Sequence, residues 1–330
     1  MKKWVFVWLA MVLLCGCYDA REIDERDFVQ TMAIDALPDG TLNVTLGISD
    51  DAGQMTSREG QGETLARAMA AQEAKQSRTI YYGHTKTIVL GEGLLKEERA
   101  LKDVAQTLCT EQVLSLKTYV TAAEDAGKVV LALCEGESGT IDQFYQNNKG
   151  DWEETFPVYL KDLEEKAAEG ATLLLPWVQV EEDGVLLSGC AVRSDGQYLG
   201  QLTGEETANL TWCGKEGSGR VVTFLVEGKP LSVRVNRRSA HVAQGEQMEV
   251  SIFVQGEVLQ SGPFDLTDPT QEKLCLDAFS QTVTKQATEG LSALEEIGVK
   301  ERKGVELAVK TDAVFSSAGM ASSGVGQTEP

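Results

Sequence analysis

Phe28 to Asp35 is a β-favouring apolar run, and from Leu42 onward Leu42, Val44, Leu46 and Ile48 alternate with polar or small residues. Pro38-Asp39-Gly40 lies between them, a tight-turn sequence, so the two stretches predict a hairpin with one buried face. Residues 50–62 are polar and Gly-rich and read as a loop. Glu63 to Ser77 is rich in helix formers, with Leu65, Ala66, Met69 and Ala70 at helical spacing. Ile80 to Leu90 reads as a strand pair or one bent strand, Leu94 to Leu108 as a helix, and Leu116 to Ala122 as a strand. Strands alternating with helices predict a mixed α/β layer.

The pattern changes further along. Asp151 to Glu169 predicts a helix, with Pro157 in its first turn and Gly170 as a left-handed C-cap. Gly184 through Gly200 holds short strands with Gly turns. Arg220 to Val226, Leu231 to Val242 and Met248 to Leu259 predict an antiparallel meander, and in the third strand Met248, Val250, Ile252, Val254 and Val258 share one face. Asp268, Pro269 and Gln271 then form the start of a long helix. Its stripe of Leu276, Phe279, Val283, Ala287, Leu291 and Leu294 is expected to lie across the meander. Ser316 to Pro330 is small, polar and Gly-rich, the composition of a disordered tail. The fold class expected is α+β: a mixed α/β N-terminal region followed by an antiparallel sheet with a long packed helix.

The first seventeen residues follow another pattern. Lys2 and Lys3 lead into the apolar run Trp4 to Leu14, followed by Leu14-Cys15-Gly16-Cys17. This is the layout of a secretory signal, too short for a span that takes about 20 apolar residues. A small residue directly before a Cys, with Leu at the third preceding position, is the bacterial lipobox pattern. Residues 1–16 then leave as a lipoprotein signal peptide, and Cys17 becomes the acylated, palmitate-bearing first residue. Two acyl chains anchor stably where one anchors marginally.

Charge narrows the partners. The chain carries a formal −21, and −23 once Lys2 and Lys3 leave. A surface that acidic is repelled by nucleic-acid phosphates and anionic headgroups, so nucleic acid is not expected as a partner and the lipid must do the anchoring. Five cysteines remain after Cys15 and Cys17: Cys109, Cys134, Cys190, Cys213 and Cys275. An odd number, widely spaced, reads as buried small hydrophobes; export also permits a disulfide such as Cys190–Cys213.

Catalytic patterns are thin. His84 and His241 are far apart, and no His-x-x-x-His or Cys-x-x-Cys pair supplies a zinc site. Gly136-Glu137-Ser138-Gly139-Thr140 has Thr where the last Gly of a nucleophile elbow belongs. Gly127-Lys128 lacks the rest of a phosphate-binding loop. No enzyme activity and no cofactor are expected. His84, after Gly83 at a turn, is expected either to hydrogen-bond locally or to touch a partner. Arg234, Arg237, Arg238 and His241 form one basic patch, either a solvated strand face or a dock for an acidic loop.

Cys17-Tyr18-Asp19-Ala20-Arg21-Glu22-Ile23 resembles the Gly-Cys-Trp-Asp-x-Arg-Glu-Ile opening of the Ger(x)C spore germination lipoproteins, the C subunits of nutrient germinant receptors. Met32-Ala33-Ile34-Asp35 is similar to the family's Gly-Ile-Asp strand end, and Tyr82-Gly83-His84 through Gly91-Glu92 to its Tyr-x-Gly-His-x-Lys-x-x-x-x-Gly-Glu. Leu175-Pro176, Leu187 to Val192 and Gly200 to Thr207 resemble its second half. The resemblance implies a non-enzymatic subunit, lipid-anchored on the outer face of the inner spore membrane. It would sit beside membrane subunits A and B and serve receptor assembly and signal coupling. Lipidation falls on Cys17, and the candidate partner contacts are Tyr18, Asp19, Arg21, Glu22 and His84. The domains expected are 1–16, 17–185 with a break near 125–150, 186–315, and the tail 316–330. Val305 to Val314 is either the family's final strand with a Trp-containing segment missing before it, or the last sheet is left open. The rival reading is a solute-binding lipoprotein of a transporter, which predicts two similar lobes; an exported hydrolase is a third.

Overall fold

The computed structural model describes residues 26–49, 54–74, 78–110, 114–136, 140–147, 154–182, 184–214, 216–244, 248–299 and 307–316. Among them the chain forms two sheets, one of nine strands and one of five. The expected α+β class is what the chain adopts, with the mixed region first and the long helix on the second sheet.

At the centre of the first sheet lies β1 (Arg26–Ala36), paired antiparallel to β2 (Leu42–Ser49) as the hairpin pattern predicts. β1 is buried on both faces, which accounts for its apolar run. Val29, Met32 and Ile34 face the core under helices α1 (Leu65–Glu73), α2 (Glu92–Lys96), α3 (Glu98–Thr110) and α6 (Leu160–Glu169). Ala33 faces the opposite core, under α4 (Ala126–Glu135) and α5 (Ile141–Asn147).

β3 (Met55–Gly62) corrects the loop expected over 50–62, whose residues 50–53 lie outside the description. It is a polar edge strand in register with β2 from Ser49↔Met55 to Leu42↔Gly62. Its glycines have a packing reason: a Cβ on Gly60 would come within 2.5 Å of the Ala68 carbonyl oxygen, so α1 rests directly on the strand backbone. The stretch from Ile80 to Leu90 is two short strands along β1. β4 (Thr79–Tyr81) and β5 (Thr87–Gly91) both run parallel to β1, separated by a 3-10 turn at Tyr82–His84. β6 (Tyr119–Ala123), β7 (Leu173–Glu181), β8 (Gly184–Ser194) and β9 (Gln197–Leu202) complete the order β3-β2-β1-β5-β6-β7-β8-β9. This sheet therefore continues past residue 185 as far as Leu202.

Two helices and one strand differ in their boundaries from the periodicity. Leu94 to Leu108 is two helices, broken at Glu97. The helix expected from Asp151 begins only at Leu160, leaving Pro157 outside it, because Val158 is held as a strand-like partner of β6 through Val120 N–H to the Val158 carbonyl at 2.8 Å. Its C-cap is as predicted, Gly170 with φ 68. Leu116 and Lys117 precede β6 rather than joining it.

In the second sheet, β11 (Val221–Val226), β12 (Lys229–Gln244) and β13 (Met248–Gln260) form the predicted meander, with β10 (Glu216–Gly217) on the far end of β12. α8 (Pro269–Glu296) packs on it. Thr270 N–H donates to Asp268 Oδ1 at 2.9 Å, the expected cap. The buried stripe starts at Cys275 rather than Leu276 and continues through Phe279, Val283, Ala287 and Leu291. Phe279 is fully buried between Phe224 of β11 and Phe315 of β14, with ring centroids 5.4 and 6.0 Å away. β14 (Leu307–Phe315) is a final strand over the described part of the Val305 to Val314 stretch, and it pairs parallel to β13 rather than antiparallel. α7 (Gly204–Thr211) and Trp212 join the two sheets, with Trp212 Nε1 donating to Gln286 of α8 at 2.9 Å.

Candidate functional site

Cys17, Tyr18, Asp19, Arg21 and Glu22 lie outside the described residues. Arg26, nine residues after Cys17, is the first described residue, and it opens β1 at one end of the first sheet. There β1 pairs with β4 in the register Arg26↔Thr79, Asp27↔Ile80 and Phe28↔Tyr81. Three rings meet across that pairing. His84 lies 4.9 Å from Phe28 and 5.7 Å from Tyr81, and Phe28 meets Tyr81 edge-on at 5.8 Å. The Arg26 guanidinium sits over the Tyr81 ring at 5.4 Å.

The local sequence explains the geometry. Gly83 lies under the folded-back Tyr81 ring, where an added Cβ would fall 2.6 Å from both Cζ and the hydroxyl oxygen of Tyr81. The turn closes through Thr85 N–H to the Tyr82 carbonyl at 3.0 Å. Tyr82 is buried while His84 is exposed, so the turn anchors one ring and presents another. Below this surface, Asp27 is 5% exposed and pairs with Arg58 at 3.0 Å and Arg78 at 3.6 Å. One buried carboxylate thus faces two arginines, with Arg26 alongside, on a chain that is acidic overall.

Among the described residues no group of three or more His, Cys, Asp or Glu side chains could hold a metal. Amphipathic rings with a cation over one face suit contact with a partner or with a polar–apolar boundary. Of the candidate partner contacts named from the sequence, His84 alone falls among the described residues. Phe28 and Tyr81 had no sequence signal as a pair, because parallel pairing joins positions more than fifty residues apart.

The other basic cluster is not brought together. A register shift between Val235 and Arg237 turns the residues after it. Arg237 stays exposed, while Arg238 is drawn in towards Gly214 and Gly217. Burial first, and then the Arg220 guanidinium nearby, lower its pKa to about 10. Arg234 stands opposite Glu257, and His241 opposite Ser251. The described cysteines are all free, with Cys190 buried. Residues 137–139 of the elbow-like stretch lie outside the description, and the flanking elements are the helices α4 and α5.

The far end of the first sheet holds a groove of about 930 Å³ between the β1–β2 turn and helices α1 and α3. Its charged lining is mixed, with Lys96 and Arg99 beside Glu63, Glu97 and Asp103. The two sheets differ in strand pairing and helix layering, so they are not the like lobes that the solute-binding reading requires. Among the described residues no helix is long and apolar enough to cross a membrane.

Residues 19–180 match the family model for the spore germination protein N-terminal domain. Spore germination protein B3 of Bacillus subtilis (strain 168) is 21% identical over 260 residues, spanning 73% of this chain and 68% of that protein. Spore germination protein A3 of the same organism is 22% identical over 244 residues, spanning 69% and 65%. Spore germination protein GerQC of Bacillus cereus is 23% identical over 203 residues, spanning 58% and 55%. The chain therefore spans between about half and two thirds of these relatives' lengths. The crystal structure of the GerBC protein superposes with a TM-score of 0.52 at 15% identity, over 86% of this chain and 96% of that one, which is a likeness of fold. By its N-terminal domain, the relatives it aligns with and its fold, the chain belongs to the GerC family of spore germination proteins.

Proposed function

We propose that this protein is a lipid-anchored, non-enzymatic subunit of a spore nutrient germinant receptor. It is held on the outer face of the inner spore membrane by acylated Cys17 and is needed for assembly with the A- and B-type membrane subunits and for signal coupling. The observation that carries the proposal is the position of the Arg26–Tyr81–Phe28–His84 cluster. Nine residues of extended chain reach about 30 Å at most, so an anchor at Cys17 keeps this exposed end of the sheet close to the bilayer and to whatever is embedded beside it. Tyr18, Asp19, Arg21 and Glu22 would lie in that interval and share the contact with His84. The net charge of the chain disfavours electrostatic adhesion as the main anchor, which leaves the lipid to hold it.

The test compares wild type with Cys17→Ala in detergent-solubilised spore membranes. Co-purification of A- and B-type subunits with wild type, together with loss of germination in Cys17→Ala, is expected. Recovery of transporter permease and ATPase subunits instead, or normal germination of the variant, would overturn the reading.

A further inference from the structure

β14 is the outermost strand of the second sheet. One side is bonded to β13 over nine register pairs, and among the described residues no strand occupies the other. Such an edge presents unpaired N–H and C=O groups, and natural edges are usually protected by a bulge, a proline or a free charge. β14 has neither bulge nor proline along Leu307–Phe315. Its lysine is already engaged, with Lys310 Nζ donating to Glu249 Oε1 at 2.6 Å. Among the described residues this long edge therefore lacks a bulge and a proline and keeps one unpaired charge, Asp312.

The side chains of that edge are complementary to themselves. Antiparallel pairing of two copies about a two-fold axis through Thr311 sets Lys310 opposite Asp312 twice, Val309 opposite Ala313 and Ala308 opposite Val314. Lys310 and Asp312 are both exposed, and among the described residues Asp312 makes no ion pair within its own chain. Val314, 38% exposed in the single chain, would be covered by the partner's Ala308. Val309, Ala313 and Phe315 already pack into the core beneath, and Thr311 accepts a hydrogen bond from Thr284 of α8 at 2.8 Å. A two-fold axis normal to the sheet keeps these inner faces, and both α8 helices, on one side. Opposite charges directly across an antiparallel pair stabilise it, and like charges destabilise it.

We infer that the free edge of β14 is a self-association surface, at which two copies of this chain join their second sheets through antiparallel β14–β14 pairing with reciprocal Lys310–Asp312 contacts. An isologous contact of this kind closes at two copies and does not propagate. The inference is independent of the receptor assignment.

Two differently tagged full-length copies, co-expressed and purified in detergent, test it. Wild-type copies are expected to co-purify. Lys310→Asp and Asp312→Lys each place like charges opposite each other twice and are expected to weaken self-association at least about tenfold. Mixed together, the two variants are complementary, since the first carries acids at both positions and the second carries lysines. Their co-purification should return to the wild-type level, which a folding defect in either variant could not produce. Absence of wild-type co-purification, unchanged self-association of both single variants, or failure of the mixture to recover would each overturn the inference.

Discussion

The carboxylate of Asp35 accepts the Gly127 backbone N–H at 2.8 Å, tying the C-terminal end of β1 to the start of α4 across 92 residues of sequence. Its other oxygen accepts the Ala126 N–H at 2.9 Å. These are two of the donors that a helix start leaves unsatisfied, and Asp125 caps a third by accepting from Lys128 at 3.1 Å. Asp35 is the last residue of the Met32-Ala33-Ile34-Asp35 stretch quoted for the family resemblance. Its work is structural, as the clamp that orients α4 on the sheet.

Removing the clamp has a cost and a pH signature. Asp35→Asn replaces one acceptor with a donor facing the helix, and should cost about 1–2 kcal/mol at neutral pH in urea unfolding. Burial raises the Asp35 pKa above its ordinary value of 3.8, outweighing the two backbone hydrogen bonds that lower it. A carboxyl raised in the folded state contributes stability below its unfolded pKa and loses it as pH rises through the folded one. The advantage of wild type over Asp35→Asn should therefore be larger at acid pH than at neutral pH. A difference that instead grows as pH rises would contradict this assignment.

Gly83 and Tyr81 should be coupled energetically. Gly83→Ala forces the Tyr81 ring off its position and is expected to destabilise by about 1–3 kcal/mol. In a Tyr81→Ala background the same change should cost much less, since the crowded ring is gone. Thermal unfolding of the four proteins gives the coupling directly, and additive costs would separate the turn from the ring cluster.

Phe279 holds the second sheet to its helix. Phe279→Ala should cost about 3–5 kcal/mol, and Phe279→Leu distinctly less. Because its neighbours are Phe224 and Phe315, amide exchange should accelerate in β11 and β14 ahead of β1 and β5. Equal acceleration in both sheets would mean that the two unfold as one unit.

The thiols should behave as reduced core residues. Burial pushes Cys190 up to about 11, only partly offset by a contact from the Thr207 hydroxyl at 3.5 Å. Burial, with Glu164 nearby, takes Cys109 to about 11 as well. Maleimide at pH 8 should leave Cys190 unlabelled in the native protein and label it fully in denaturant, since the thiolate is the reactive form. A cross-linked Cys190–Cys213 peptide from non-reduced protein would refute the free state.

Elements whose signal is local were legible in the sequence. The β1–β2 hairpin, the β11–β13 meander, the Asp268 cap and the Gly170 stop all follow from alternation, turn chemistry or capping within a few residues. β3 was illegible because it is an edge strand: its polar residues face water and its glycines admit α1, so it resembles a loop until β2 is beside it. The start of α6 is not legible locally, because Pro157 suits a first helical turn in isolation, whereas β6 claims Val158 for a backbone bond. His84 stood out through its surroundings in sequence, but Phe28, Tyr81 and Arg26 did not, since nothing within either segment specifies that β1 and β4 meet.

By itself the sequence determined the fold class, the hairpin, the meander, the long capped helix and the family resemblance, since each rests on periodicity or motifs within one segment. Tertiary structure alone decided the order of strands in each sheet, the parallel docking of β14, the separation of Arg238 from Arg234 and Arg237, and the gathering of rings beside Arg26. These depend on which distant segments share a backbone ladder. That choice is made by the burial of whole faces against one another, and no local pattern encodes it.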